Sequence, residues 1–191
     1  MPDVEVWHLS DMKTPPIPGT DKQLKRPADI AHLMTMRLQM YSLLPEEDWL
    51  FLDTDVIVQR DVSWIFHNIP LFDVAALKRS KIMVSPPGFE GFPELTGKDL
   101  TESMPFNTGV IFSRSKALWE DAYAWLKLQD ERYHKWFGDQ CALRFAINDM
   151  RYQFYPLTPE LNYTPKFPDE DVSQKFIVHY KGPRKSWMLA R

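Results

Sequence analysis

Residues 49–58 read WLFLDTDVIV, and this segment constrains the fold more than any other part of the chain. Eight of its ten positions are apolar or β-branched, which is typical of a strand in a sheet interior. Asp53 and Asp55 nevertheless stand one residue apart at its centre. Ionised carboxylates are costly in apolar surroundings unless a cation faces them. The segment therefore predicts a buried strand, and the two carboxylates at its end need either a cation or water.

Two interpretations of these aspartates are open. If the chain stays extended, Asp53 and Asp55 point to the same side and can share one Mg²⁺ or Mn²⁺, which take oxygen ligands. The alternative is a turn that exposes both side chains to water. The apolar flanks favour the metal site, because a solvated turn would not need them.

Strand and helix patterns alternate along the rest of the chain, which favours an α/β domain with a largely parallel sheet. Ligands of such sheets gather at the carboxyl ends of the strands. The predicted strands are 4–9, 49–53, 56–59, 74–78, 106–113, 152–157 and 175–180. The predicted helices are 30–44, 115–130 and 138–148, with a shorter helical segment at 61–68. Residues 11–29 and 80–105 are rich in proline and are predicted to be long loops.

Length and composition set broad limits. A chain of 191 residues is enough for a single domain with a sizeable core. The formal net charge of −3 and the lack of a basic stripe give no support to nucleic-acid binding, without excluding a local patch. Cys141 is the sole cysteine, so no intrachain disulfide is possible. No secretory signal and no apolar stretch near 18 residues is present, which predicts a cytoplasmic protein without a membrane span.

A second polar segment, HYKGPRKSW at 179–187, lies near the end of the sequence. His179 ends a predicted strand, and Lys181, Gly182 and Lys185 follow in a loop. Glycine permits close backbone approach, and lysines supply charges suited to a diphosphate. A basic surface loop with an exposed histidine is the alternative interpretation.

Together the two segments resemble the glycosyltransferase family 8 group of GT-A enzymes, which includes glycogenin and the bacterial galactosyltransferases. The resemblance runs from about residue 30 onward, in the family's order. The matching segments are MRLQMYSLLPEEDWLFLDTDVIVQRDVSWIF (36–66), FNTGVIFS (106–113), GDQ (138–140), LTPELNY (157–163) and HYKGPRKSW (179–187). Ser186 stands where the family's last motif has proline. The resemblance implies a single GT-A domain at 1–191, Rossmann-like, with a mixed, mostly parallel sheet.

The resemblance also implies a function: metal-dependent transfer of a hexose or pentose from a nucleotide-diphosphate sugar. The donor is expected to be a UDP-sugar, and the configuration of the sugar is expected to be retained. The acceptor is a hydroxyl of a saccharide, a protein or another molecule, which the sequence does not identify. The family places a variable acceptor or lid region where residues 80–105 lie; an ordinary surface loop is the alternative.

Metal and donor roles follow from the same resemblance. Asp53, Asp55 and His179 would hold Mn²⁺ or Mg²⁺ against the donor diphosphate. The residues implied to bind the donor are Arg37, Asp53, Gly182 and Lys185. Arg37 falls eight residues before Pro45, as the family's donor-binding arginine does; a paired or exposed helix arginine is the alternative.

Three further residues are implied to act at the sugar itself. Asp139 and Gln140 match the pair that bonds the hydroxyls of the transferred sugar, and Asn107 matches a residue that contacts the donor or acceptor sugar. The alternatives are a helix cap or first-turn pair for Asp139 and Gln140, and a buried turn for Asn107.

One departure concerns the start of the domain. In the family, a first strand–helix unit precedes the position of residues 4–9. This unit is expected to be missing here. Because that unit usually contacts the base and ribose, the identity of the nucleotide base is the least certain part of the expected donor. Two other functions are compatible with these residues: a GT-A-fold binding or scaffold module without turnover, and a glycosyltransferase acting on modified nucleic acid.

Overall fold

The computed structural model describes residues 4–30, 32–69, 71–80, 97–135 and 137–188. Strands and helices alternate over much of this length, as the sequence predicts. The strands are β1 (Trp7–Ser10), β2 (Lys22–Lys25), β3 (Trp49–Leu52), β4 (Val56–Val58), β5 (Val74–Lys78), β6 (Phe106–Ser113), β7 (Phe154–Pro156) and β8 (Ile177–His179). The helices are α1 (Leu33–Ser42), α2 (Trp64–Asn68), α3 (Lys116–Lys127), α4 (Gly138–Asp149) and α5 (Lys185–Met188).

The main sheet has four strands in the order β3-β6-β5-β7. Strand β6 runs antiparallel to β3 and β5, whereas β5 and β7 are parallel. Three of the four strands thus share one direction, and the predicted mixed, mostly parallel sheet is confirmed. Two smaller sheets pair β1 with β2 and β4 with β8.

Side chains that alternate along the strands build a core on each face of the main sheet. Val74 and Ala76 contribute to one core, whereas Ala75 between them contributes to the other. This is the period of two that a strand imposes. Helices α1, α3 and α4 cover the first face, and α2 packs on the second. Every residue of β6 is buried, as a central strand between two layers requires.

Local sequence signals explain where two of the helices begin. Ser115 caps α3, because its hydroxyl accepts a hydrogen bond from the backbone N–H of Leu118 at 3.2 Å. His32 caps α1, because its Nδ1 accepts a hydrogen bond from the backbone N–H of Met34 at 3.2 Å. Helix α4 follows Phe137, which adopts a left-handed backbone with φ of 49°.

One sequence prediction about the fold is wrong. Residues 11–29 were expected to form a loop, but they contain β2, which pairs in parallel with β1. The segment KQLK has little intrinsic preference for a strand, and its pairing with β1 decides its conformation.

Most of the predicted loop 80–105 lies outside the described residues, at 81–96, so its role as a lid or acceptor region stays a prediction. The described end of the loop is packed, since Leu100 and Met104 are buried against Phe137 and Cys141. Among the described residues, no helix is long and apolar enough to cross a membrane.

Candidate active site

The turn between β3 and β4 brings Asp53 and Asp55 to the junction of two sheets. The backbone N–H of Asp53 donates to the carbonyl of Gly109 in β6 at 2.9 Å. The backbone carbonyl of Asp55 accepts from the N–H of Tyr180, just after β8, at 2.8 Å. The two aspartates therefore converge across a turn and not along an extended segment.

His179, at the end of β8, completes a group of three potential metal ligands. One ligand atom each from Asp53, Asp55 and His179 lies within 4.8 Å of the others. His179 Nε2 is 3.2 Å from Asp55 Oδ1 and 3.9 Å from Asp53 Oδ2. In an octahedral shell, ligand atoms lie roughly 3 to 4 Å apart. Small side-chain adjustments would therefore let the three groups bind one divalent ion.

A hydrogen bond to Asn162 fixes the imidazole of His179. Its Nδ1 is 3.1 Å from Oδ1 of Asn162, and both side chains are buried. Because an amide oxygen only accepts, Nδ1 carries the proton, and the lone pair of Nε2 points to the space beside the two aspartates where a cation would bind. Burial lowers the pKa of His179 to about 4, with Lys181 and Arg37 also lowering it and Asp55 opposing. The ring is therefore neutral at pH 7, as a metal ligand must be.

Arg37, from α1, links the aspartate turn to the start of α4. Its guanidinium pairs with Asp53 and, at 3.0 Å, with Asp139 Oδ2. Burial disfavours its charge, but Tyr41 and the two carboxylates outweigh this effect and raise its pKa above the ordinary value. The pKa of Asp53 is raised, mainly by burial and in part by Asp55, although Arg37 opposes the shift.

Asp139 is buried at the start of α4 and is held in one orientation. Its Oδ2 accepts hydrogen bonds from Arg37 Nη1 and from the hydroxyl of Thr108, each at 3.0 Å. Asp139 is therefore not a solvent-exposed acidic residue in the first turn of a helix. It links α4 to α1 and β6 through these hydrogen bonds.

Three buried side-chain atoms in the described part of the chain have no hydrogen-bond partner, and they belong to residues that are part of the polar group or adjoin it. They are Asp139 Oδ1, Gln140 Oε1 and Asn162 Nδ2. Buried polar atoms are normally paired, so these atoms would need a water molecule or a polar ligand as a partner. Two acceptors on consecutive residues could take hydrogen bonds from hydroxyl groups.

Basic groups of the segment after β8 face the same site. Lys185 Nζ lies 3.2 Å from Asp55 Oδ2, although the lysine side chain is 62% exposed. Gly182 has a φ of 64°, a conformation that suits glycine, and no heavy atom lies within 4 Å of where a Cβ would stand. Lys181 is half-buried, and its pKa is lowered to about 8 by burial and by Arg79 and Arg184.

The structure thus brings most of the predicted site residues together. Asp53, Asp55, His179, Arg37 and Asp139 form one connected polar group, with Lys185 paired to Asp55. Gln140 follows Asp139, and Gly182 lies in the 3₁₀ turn that leads to Lys185. The roles of these residues stay predictions.

Asn107 makes a structural contact, in which its Oδ1 accepts a hydrogen bond from the backbone N–H of Gly109 at 3.1 Å, and its role at the sugar stays a prediction. Thr108 and Asn162 were missed as site residues. Both stand inside recognised segments, FNTGVIFS and LTPELNY, where a polar residue beside a buried strand was the available signal.

Residues 4–189 match the sequence profile of glycosyl transferase family 8. No curated protein is similar enough in sequence to count as a match.

Two solved structures show the same fold. One is a glycosyltransferase involved in the glycosylation of the major capsid of PBCV-1, with 16% sequence identity and a TM-score of 0.59. The match covers 98% of this chain and 100% of that one. The other is the apo-form glycosyltransferase GlyE of Streptococcus pneumoniae TIGR4, 17% identical with a TM-score of 0.59, over 97% of this chain. This chain spans 52% of the length of GlyE.

At these identities the structures establish the GT-A fold and no specific activity. The profile match, in contrast, extends over nearly the whole sequence and includes every residue of the polar group around Asp53. The chain belongs to glycosyl transferase family 8.

Proposed function

We propose that this protein transfers a sugar from a nucleotide-diphosphate donor, UDP being the expected nucleotide, to a hydroxyl acceptor in a metal-dependent reaction. The observation that carries the proposal is the group of Asp53, Asp55 and His179, whose ligand atoms lie within 4.8 Å of one another. Family membership supports a transferase, and the polar network around this group supports its place at the reaction centre.

The residues present fit a hard divalent cation. Two carboxylates and one neutral imidazole supply three ligands and leave other positions for water and diphosphate oxygens. Mn²⁺ or Mg²⁺ is the expected ion, and when bound it would act as a Lewis acid that stabilises the leaving nucleoside diphosphate. Asn162 would keep Nε2 of His179 directed at this position.

The donor diphosphate would meet Lys185 and the backbone at Gly182. Lys185 now neutralises Asp55, and its long exposed side chain allows it to turn to a phosphate. Arg37 would act as a positioning residue, because it holds Asp53 on one side and Asp139 on the other.

The transferred sugar would lie against the start of α4. Asp139 Oδ1 and Gln140 Oε1 are the unpaired acceptors there, and sugar hydroxyls would donate to them. During transfer the bond between C1 and the phosphate oxygen breaks and its electron pair stays on that oxygen. The acceptor hydroxyl oxygen bonds to C1, and its proton passes to the departing diphosphate oxygen. Retention of configuration at C1, with Gln140 at the reactive face of the sugar and Asn107 nearby, belongs to the same proposal.

Calorimetric titration of UDP with and without Mn²⁺ tests the binding part. Wild-type protein should bind UDP more tightly with the ion, and Asp55→Asn should remove most of that gain. Asp61→Asn is the matched control, because Asp61 is exposed and bonds Ser63 outside the site. Folded protein that binds no UDP in either condition would contradict the proposal.

Turnover separates an enzyme from a scaffold of the same fold. Wild-type protein should release UDP from UDP-glucose or UDP-galactose by slow hydrolysis or by transfer. Asp139→Asn should keep UDP affinity within about threefold yet lower this rate at least about a hundredfold, the range expected when a transition-state contact is lost. UDP binding without turnover for either donor would instead favour a binding module.

A further inference from the structure

Thr108 lies where three elements of the fold meet beside the candidate active site. Its side chain is buried in β6 and contacts one residue from α1 and one from α4. Thr108 Oγ1 lies 3.0 Å from Asp139 Oδ2 and 3.3 Å from Arg37 Nη1. Arg37 Nη1 in turn lies 3.0 Å from the same oxygen of Asp139. The three side chains therefore form a triangle of hydrogen bonds.

The directions of these hydrogen bonds follow from the chemistry of the two charged partners. A guanidinium has only donors, and an ionised carboxylate has only acceptors. The hydroxyl of Thr108 therefore accepts from Arg37 and donates its single proton to Asp139. Arg37 also holds the backbone at this point, because its Nη2 donates to the carbonyl of Thr108 at 3.4 Å. The hydroxyl is thus fixed between a positive and a negative side chain.

An irregularity in β6 allows Thr108 to take this place. Strand β6 pairs with β5 at Ile111 and Ala76, and then again at Asn107 and Leu77. Residues 108–110 lie between these two pairs and have no partner in β5. Bulges of this kind re-aim side chains and are frequent next to active sites. Because Thr108 is released from the ladder with β5, its hydroxyl can lie between α1 and α4.

The triangle occupies only one of the two carboxylate oxygens of Asp139. Oδ2 takes both hydrogen bonds, whereas Oδ1 is buried without a hydrogen-bond partner in the described part of the chain. The terminal torsion of an aspartate has a broad energy minimum, so a carboxylate held by one donor can rotate. A second donor in another direction opposes this rotation. Thr108 supplies that donor, which keeps Oδ1 free for a ligand.

We propose that Thr108 is a positioning residue of the transfer reaction: its hydroxyl keeps Asp139 Oδ2 beside Arg37, so that Oδ1 accepts from a hydroxyl of the transferred sugar. Thr108 acts through Asp139, because donating to the sugar would require its only hydroxyl proton to leave that carboxylate. This inference rests on the proposed function, to which the sugar contact of Asp139 belongs.

Thr108→Val tests this role, because valine has nearly the same shape and lacks the hydroxyl. The probes are UDP-glucose and UDP-galactose with Mn²⁺, and UDP release at saturating donor is measured together with the affinity for UDP. The rate should fall about tenfold or more, while UDP affinity changes less than about threefold. Thr108→Ser keeps the hydroxyl and should retain the rate within about threefold. A wild-type rate in folded Thr108→Val would overturn the proposal.

Ser113→Ala is the matched control for the loss of a buried hydroxyl in the same strand. Ser113 donates to the carbonyl of Asp73 at 3.1 Å and accepts from Trp119 Nε1 at 2.9 Å. Its removal should lower the melting temperature and leave the rate of UDP release within about twofold. If Thr108→Val shows this same pattern, Thr108 has a structural role alone and the proposal is wrong. Thr108→Ala replaces Thr108→Val should the latter fail to fold.

A double variant tests whether the effect passes through Asp139. In Asp139→Asn protein, adding Thr108→Val should lower the residual rate less than about twofold further, because the two residues act as a unit. Long incubations make this residual rate measurable. Effects that multiply in full would show that Thr108 acts independently of Asp139, and the proposal would be overturned.

Failure of the proposed function gives a different result. Wild-type protein that releases no UDP from either donor contradicts the transfer reaction, whatever Thr108 does. Crystal structures of wild-type and Thr108→Val protein then still test the positioning of Asp139. The carboxylate should be rotated in the variant, with Oδ2 moved away from Arg37 Nη1. An unchanged carboxylate would overturn the role of Thr108.

Discussion

The imidazole of His179 occupies the space that a side chain at position 109 would need. A Cβ built on Gly109 would stand 2.0 Å from Cε1 of His179 and 2.4 Å from its Nδ1. The glycine in β6 therefore allows the end of β8 to approach closely enough for His179 to reach the aspartates. This contact makes Gly109 a structural requirement of the candidate metal site.

Gly109→Ala should displace His179 and weaken Mn²⁺ binding at least about tenfold, because Nε2 would leave its position beside Asp55. Both residues lie in packed surroundings, so overpacking should also lower the free energy of unfolding by about 1 to 3 kcal/mol. Calorimetry with Mn²⁺ and thermal melting measure the two effects. Wild-type Mn²⁺ affinity in this variant would show that His179 is not a ligand.

Asn162 should control metal affinity through His179, without touching the ion. Asn162→Leu removes the acceptor for Nδ1–H, and Mn²⁺ affinity should fall about 10- to 100-fold, as it does when such orienting partners are lost. Asn162→Asp keeps an acceptor oxygen and should retain most of the affinity. Equal losses in the two variants would indicate a packing role instead of an orienting one.

Lys185→Gln should separate metal binding from diphosphate binding. Because Lys185 pairs with Asp55, its removal should leave Mn²⁺ affinity unchanged or higher when no nucleotide is present. UDP affinity in the presence of Mn²⁺ should fall about tenfold, since a phosphate contact is lost. Because the lysine side chain is exposed to water, the ion pair contributes about 1 kcal/mol or less to stability, so the melting temperature should change little. Weaker Mn²⁺ binding without nucleotide would contradict this assignment.

Cys141 should be unreactive in the native protein. It is buried in α4 against Leu100 and Phe137, and burial raises the pKa of its thiol to about 12. The reactive thiolate is therefore scarce at pH 8, and iodoacetamide should label the protein slowly there. Unfolding in urea should restore rapid labelling. Mass spectrometry measures the extent of labelling in both states. Fast labelling of the native state would show that this end of α4 opens frequently.

Sequence reasoning was most successful where local patterns are strong. It predicted β5 and β6 with the bounds that the structure has, and it predicted Ser115 as the cap of α3. Apolar β-branched runs and a serine before a helical pattern are determined by short-range preferences. Strand β2 was missed because its formation depends on pairing with β1, which its own residues do not indicate.

For the site, the sequence determined which residue types are present and their order: two aspartates, a distant histidine, a basic loop and an Asp-Gln pair at a helix start. Their convergence was decided by tertiary structure. His179 reaches the aspartates through three features of the fold. These are the turn between β3 and β4, the backbone hydrogen bond from Tyr180 to Asp55 and the space at Gly109. These contacts join residues far apart in the sequence, and packing between sheets sets such distances, whereas local patterns do not.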